Sequence, residues 1–153
     1  MLSGFALDYV LWVFAVALGV VQAVCAMSGL RGLLFAREAP VRTNATGGLG
    51  LAAVATVWYF LDERRNLPDT SVGLDANVQA FWFAVAGAAA IALTLAVTSV
   101  VNHRWGADHG WDPSSGAPPP EGLGWLARTT FFRAARARAA FIRGRLRRNR
   151  AGI

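Results

Sequence analysis

The chain has 153 residues, a formal net charge of +6 and 55% hydrophobic residues, with only 16% charged. Its single cysteine, Cys25, excludes a disulfide-rich scaffold, and its apolar content excludes a disordered chain. Soluble domains carry about 25% charged residues, and here the apolar residues come in three long blocks. The expected fold is all-α: an integral membrane protein with three transmembrane helices followed by a C-terminal basic amphipathic helix. The expected units are a three-span domain over 1–102, with spans near 6–30, 45–61 and 79–101, a Gly/Pro-rich linker over 103–121, and an Arg-rich helix over 122–153.

The first block, Tyr9 to Leu30, is 22 residues without a charge. At about 1.5 Å per residue it is long enough for a hydrocarbon core of ~30 Å. It lacks the basic start of a signal peptide, and its apolar run exceeds the 7–15 residues of such a segment. We therefore expect the span to be retained. Val24 and Gln22 do not fit a lipoprotein site at Cys25. The second block, Ala45 to Leu61, has 17 residues, and the third, Ala80 to Val101, has 22. None has an interior charge, which a water-soluble bundle would show on one face of each helix.

In lipid, helices associate through small residues that let backbones approach. The first span has Ala15, Gly19 and Ala23 at i+4, the second Gly48 and Ala52, and the third Ala84, Ala88, Ala92 and Ala96. These nine residues are the expected helix-packing positions. Gln22, Thr94, Thr98 and Ser99 are the main polar groups at depth. Gln22 is expected to hydrogen-bond between helices, and Cys25 to act as a small buried hydrophobe. Ion pathways generally need ionisable side chains inside the membrane, so a transporter acting alone is not expected.

Thirteen of the fifteen arginines follow the first or third span; Arg64 and Arg65 follow the second. The arginine-rich side is cytoplasmic by the positive-inside rule. This places the N-terminus outside and the C-terminus inside a bacterial cytoplasmic membrane. The aromatic residues agree. Phe5, Tyr9 and Trp12 open the first span, Trp58, Tyr59 and Phe60 close the second, and Phe81, Trp82 and Phe83 open the third. All fall at the outer interface, with Tyr9, Trp12, Trp58, Tyr59 and Trp82 as the interfacial belt. Asn44-Ala45-Thr46 matches a glycosylation acceptor, but on the cytoplasmic side.

The linker carries Gly106, Gly110, Pro113 and Pro118-Pro119-Pro120, and is expected to be irregular. Trp105 and Trp111 are candidate anchors at the inner interface. His103, Asp108, His109 and Asp112 lack the fixed spacing of a metal site. No metal site, cofactor site or catalytic residue is expected. The sequence has no nucleophile elbow, HExxH or CxxC, and Gly47-Gly48-Leu49-Gly50 lacks the Lys-Ser/Thr of a phosphate loop. Both histidines follow the third span, which disfavours a haem-carrying subunit.

From Gly122 the chain has nine arginines and no acid. Phe131, Ala135, Ala139, Ile142 and Leu146 recur at helical spacing, and Phe132 widens the stripe. Thr129 or Thr130 is the expected cap. A helix of ~18 residues is marginal alone in water, so the stripe needs a surface. The expected tail contacts are Arg128, Phe131, Phe132, Arg133, Arg136, Arg138, Ile142, Arg143, Arg145, Leu146, Arg147 and Arg148. The anionic inner leaflet is the first candidate surface, a protein subunit the second, and nucleic acid the least expected.

These features point to a non-catalytic accessory or anchor subunit of a larger bacterial membrane complex, with membrane lipids and other membrane subunits, hetero- or homo-oligomeric, as partners. Two alternatives remain. The order of three spans, N-out, C-in and a charged tail resembles the layout of three-span holins, which implies a pore-former. A membrane-tethered scaffold that recruits nucleic acid is the other.

Overall fold

The computed structural model describes residues 4–61, 76–108, 120 and 122–151, with side chains for 6–61, 76–106, 120 and 122–146. Five α-helices make up the fold: α1 (Gly4–Met27), α2 (Val41–Phe60), α3 (Ala76–Val101), α4 (His103–Asp108) and α5 (Phe131–Ala151). Two 3-10 turns, Arg31–Leu33 and Leu123–Ala127, join them, and no strand occurs among the described residues. Two stretches, Ala6–Met27 and Ala76–Val101, are long and apolar enough to cross a membrane.

α1 ends as its sequence dictates. Gly29 takes φ +70°, the left-handed conformation open to glycine. Leu30 N then donates to Cys25 O at 2.9 Å, and Gly29 N to Ala26 O at 3.2 Å. This is a Schellman cap, completed by Leu30 packing against the cluster that holds Cys25. The chain reverses, and α2 returns antiparallel along α1.

The α1–α2 seam brings the two backbones together. A Cβ added to Gly19 would lie 2.4 Å from Gly48 O, and one added to Gly48 would lie 2.4 Å from Gly19 O and 2.8 Å from Ala23 N. Ala52 closes the same seam against Gly19. No side chain larger than hydrogen fits at either glycine without moving the helices apart.

α3 packs on α1 through a face the sequence reading did not select. Ala86, Ala90, Thr94 and Thr98 are buried, whereas Ala84, Ala88 and Ala92 are exposed and Ala96 is half-buried. The two ladders are offset by two residues, about 200° around a helix. The threonines can face inward because their hydroxyls are satisfied within α3. Thr94 Oγ1 donates to Ala90 O at 2.9 Å and Thr98 Oγ1 to Thr94 O at 2.6 Å.

Gln22 also departs from expectation. It bonds not to another long helix but to the loop that follows α1. Its Nε2 donates to Leu33 O at 3.1 Å, and its Oε1 accepts from Phe35 N at 3.0 Å. Asn102, between α3 and α4, holds the same loop, donating to Leu34 O at 3.0 Å. Asn44, read above as an acceptor motif, donates to Ala36 O and Ala39 O at 3.0 and 3.1 Å, tying the loop to the start of α2.

The beginning of the linker is helical rather than irregular. Gly106 N donates to Asn102 O at 3.0 Å within α4, and Gly106 is buried. The glycine is needed for close packing, since its Cβ would lie 3.0 Å from Thr130 Cγ2 and 3.1 Å from Thr130 N. Residues 109–119, with Gly110, Trp111, Pro113, Pro118 and Pro119, lie outside the described residues. The tail is not one helix from Gly122; it turns through Leu123–Ala127 before α5 starts at Phe131.

Candidate lipid and partner interface

Two clusters hold the opposite ends of the bundle. At the end where α1 and α3 start and α2 finishes, Tyr9, Val13, Tyr59 and Ala86 are buried together, with Trp12, Phe14 and Trp82 against them. Trp12 stacks on Tyr59 at 4.5 Å with 13° between planes, and Trp12 Nε1 donates to Thr56 Oγ1 at 3.3 Å. Tyr9 and Tyr59 are thus buried between helices rather than facing outward as belt residues. Their rings find one another at 6.4 Å edge-to-face, a contact that buries more area than an outward orientation offers. Trp58, Phe81 and Phe83 face outward. Trp82 is half-buried.

At the other end Cys25, Ala26, Leu33, Leu34, Trp125, Leu126 and Ala134 form one core, with Phe131 and Ala137 packed on it. The tail therefore folds back onto the bundle. Gly32 makes this possible: its Cβ would lie 2.0 Å from Thr129 O and 2.5 Å from Leu126 O. Sequence reasoning missed Gly32, because nothing near it signals a contact almost a hundred residues away. Arg37 stacks over Trp105 at 4.9 Å from the ring centroid, and pairs with Glu38. Trp105 is held by this cation.

α5 is capped from α3 instead of by its own threonines. Phe132 N donates to Ser99 Oγ at 3.2 Å, while Thr129 Oγ1 donates to Gly106 O at 3.2 Å. Thr130 is buried, and its hydroxyl has no hydrogen-bond partner. The face of α5 that packs inward carries Phe131, Ala134 and Ala137. Ala135 and Ala139, expected on the packing stripe with Phe131, are exposed.

A second apolar stripe is left facing outward: Phe132, Ala135, Ala139, Ile142 and Leu146. Exposed Arg136 and Arg143 border it on one side, and exposed Arg138 and Arg145 on the other. Arg128 is exposed and Arg133 half-buried. Arg147 and Arg148 lie on the last turns, with side chains outside the described set. The sequence-predicted tail residues thus divide. Phe131 belongs to the core, and Phe132, Ile142 and Leu146 with their flanking arginines form the free surface.

Among the predicted packing residues, the structure brings Gly19, Ala23, Gly48 and Ala52 together. Ala15 is half-buried. Ala84, Ala88 and Ala92 are exposed.

An open pocket of about 500 Å³ lies where the end of α3, the start of α4 and the first turns of α5 meet. Arg104, Arg133 and Arg136 line it beside Thr130, with no carboxylate among the described lining residues. His103 also lines this pocket, and Asp108, His109 and Asp112 lie outside the described side chains. Among the described residues, no group of three or more His, Cys, Asp or Glu is placed to hold a metal ion. No protein-family model, curated protein or solved structure matches this chain.

Proposed function

We propose that the chain is a non-catalytic accessory or anchor subunit of a larger bacterial membrane protein complex. In this reading α2 spans the bilayer with α1 and α3, the N-terminus is outside, and α5 lies on the cytoplasmic side. The carrying observation is the outward apolar surface of the helices. Only 33% of the apolar window in α1 and 28% of that in α3 is buried within the chain. Leu11, Val20 and Val24 on α1, Val54 and Val57 on α2, and Ile91 and Leu93 on α3 all face outward. A water-soluble monomer rarely exposes such a continuous surface. Lipid or neighbouring helices cover it without penalty.

Support for a subunit comes from how the chain's polar groups are used. Gln22, Thr94, Thr98, Ser99 and Asn102 are buried, and each is bonded in holding a loop, a helix or the tail. They serve structure, leaving the Arg-bordered stripe of α5 and the exposed Ala84–Ala88–Ala92 face for neighbours. The stripe rests on the inner leaflet or in a partner's groove.

Purification in a gentle detergent from the native host, with mass spectrometry of the material retained, tests the reading. A stoichiometric membrane partner is expected, and removing residues 131–153 should weaken its retention. Recovery of the chain alone and monodisperse would overturn the assignment. Collapse of the membrane potential on expression would favour the holin-like alternative, and salt-sensitive retention of DNA or RNA the scaffold alternative.

A further inference from the structure

We propose that the pocket between α3, α4 and α5 binds a phosphate group, with Arg104, Arg133, Arg136 and Thr130 supplying the contacts. Four observations converge there. Three arginines line one open pocket of about 500 Å³, with no carboxylate among the described lining residues. Arginine is the side chain best matched to phosphate, offering paired N–H donors in a fixed plane. The pocket also receives the N-terminal turn of α5, whose dipole favours an anion.

The fourth observation is independent of charge. Thr130 lines the pocket at 1% exposure, yet its Oγ1 has no partner, and neither does the buried Nε of Arg133. Burying polar groups unbonded is unfavourable. Nearby, Thr129 is bonded to Gly106, Ser99 to the α5 backbone and Asn102 to the first loop, while the buried Nε of Arg37, outside the pocket, is unbonded as well. Thr130 and Arg133 both line the pocket, and a rotation of either side chain would turn its unbonded donor towards an oxyanion there.

The remaining wall indicates the source of the phosphate. Val100, Val101 and Phe132 make part of it apolar, and Val100 and Val101 continue the outward apolar surface at the end of α3. A phospholipid headgroup fits this division, its phosphate among the arginines and its glycerol end towards the valines. Free phosphate uses only the polar half. The site goes beyond the subunit assignment and stands whether or not a protein partner exists.

The full-length protein in a neutral detergent should be titrated with dioctanoyl phosphatidylglycerol, dioctanoyl phosphatidylcholine and inorganic phosphate, with binding read by isothermal calorimetry. Saturable one-to-one binding of phosphatidylglycerol is expected. The double variant R133Q/R136Q should weaken it about tenfold or more, the scale of lost charge-assisted hydrogen bonds. The double variant R31Q/R42Q, an equal charge change at exposed arginines outside both the pocket and the tail, should leave it unchanged. T130V keeps the shape and removes the unbonded hydroxyl; it should weaken binding while leaving the thermal midpoint without ligand unchanged or raised. That variant remains informative if the double variant fails to fold. Phosphatidylglycerol binding tighter than inorganic phosphate identifies the lipid source; equal affinity identifies free phosphate. Absence of saturable binding by any probe overturns the proposal. So does equal weakening by R31Q/R42Q and R133Q/R136Q, which would mean diffuse attraction.

Discussion

At the residue scale, four glycines carry much of the architecture, and for two distinct reasons. Gly19, Gly48 and Gly32 are sites of contact, where a side chain would strike backbone. Gly29 is a site of conformation, with open space around it and φ +70°. The substitutions should therefore behave differently. Gly29→Ala should lower stability by about 1–2 kcal/mol, the strain of a left-handed non-glycine residue. Gly19→Leu should lower it by about 3 kcal/mol or more, since overpacking usually costs 1–3 kcal/mol even where only side chains must yield. Thermal unfolding of the detergent-solubilised protein, followed by circular dichroism, checks both. Gln22 gives a third case. Gln22→Leu leaves Leu33 O and Phe35 N without their partner, and a loss of about 1–3 kcal/mol is expected if one of these groups stays unsatisfied. The accompanying change should be faster hydrogen exchange at Phe35.

At the element scale, α5 depends on a residue of another helix. Ser99 supplies the hydrogen bond that Phe132 N would otherwise lack. Ser99→Ala should destabilise the docked tail by about 1 kcal/mol, as loss of a cap does. Amide exchange should accelerate in the first turn of α5 and not in α1. The same bond shows what the sequence could and could not reveal. The uncharged runs of α1 from Tyr9 and of α3 were legible, as was the spacing that places Gly19, Ala23, Gly48 and Ala52 on one seam. The inward face of α3 was not. Ala86 to Ala90 is small on every side, so alanine spacing does not distinguish faces, and Thr94 and Thr98 look polar until their hydroxyls are seen bonded to their own helix. The docking of the tail was illegible for a different reason. Gly32 meets Thr129, and Ser99 meets Phe132, across separations that no local period records.

At the scale of the whole molecule, α1, α2 and α3 carry their aromatic residues at one end, and Arg31, Arg37, Arg42 and Arg104 lie at the other. The topology proposed above gives a direct prediction. Single cysteines introduced at the N-terminus and at the end of α5, in a Cys25→Ser background, should differ in access to a membrane-impermeant maleimide in intact cells. The N-terminal site should label, and the α5 site only after permeabilisation. Cys25 itself is buried at 5% exposure in the cluster with Leu33 and Trp125. In the parent protein it should resist labelling until the fold is disrupted.

The docked base of α5 has a mechanical consequence. The helix is 21 residues long, and its early turns are clasped by α3, α4 and the Gly32 loop. A continuous helix of that length reaches about 32 Å at 1.5 Å per residue. The appendage is thus a strut set in a socket, not a rope. Whatever grips its far tip is kept at a fixed radius from the bundle, and a pull there bears on the socket.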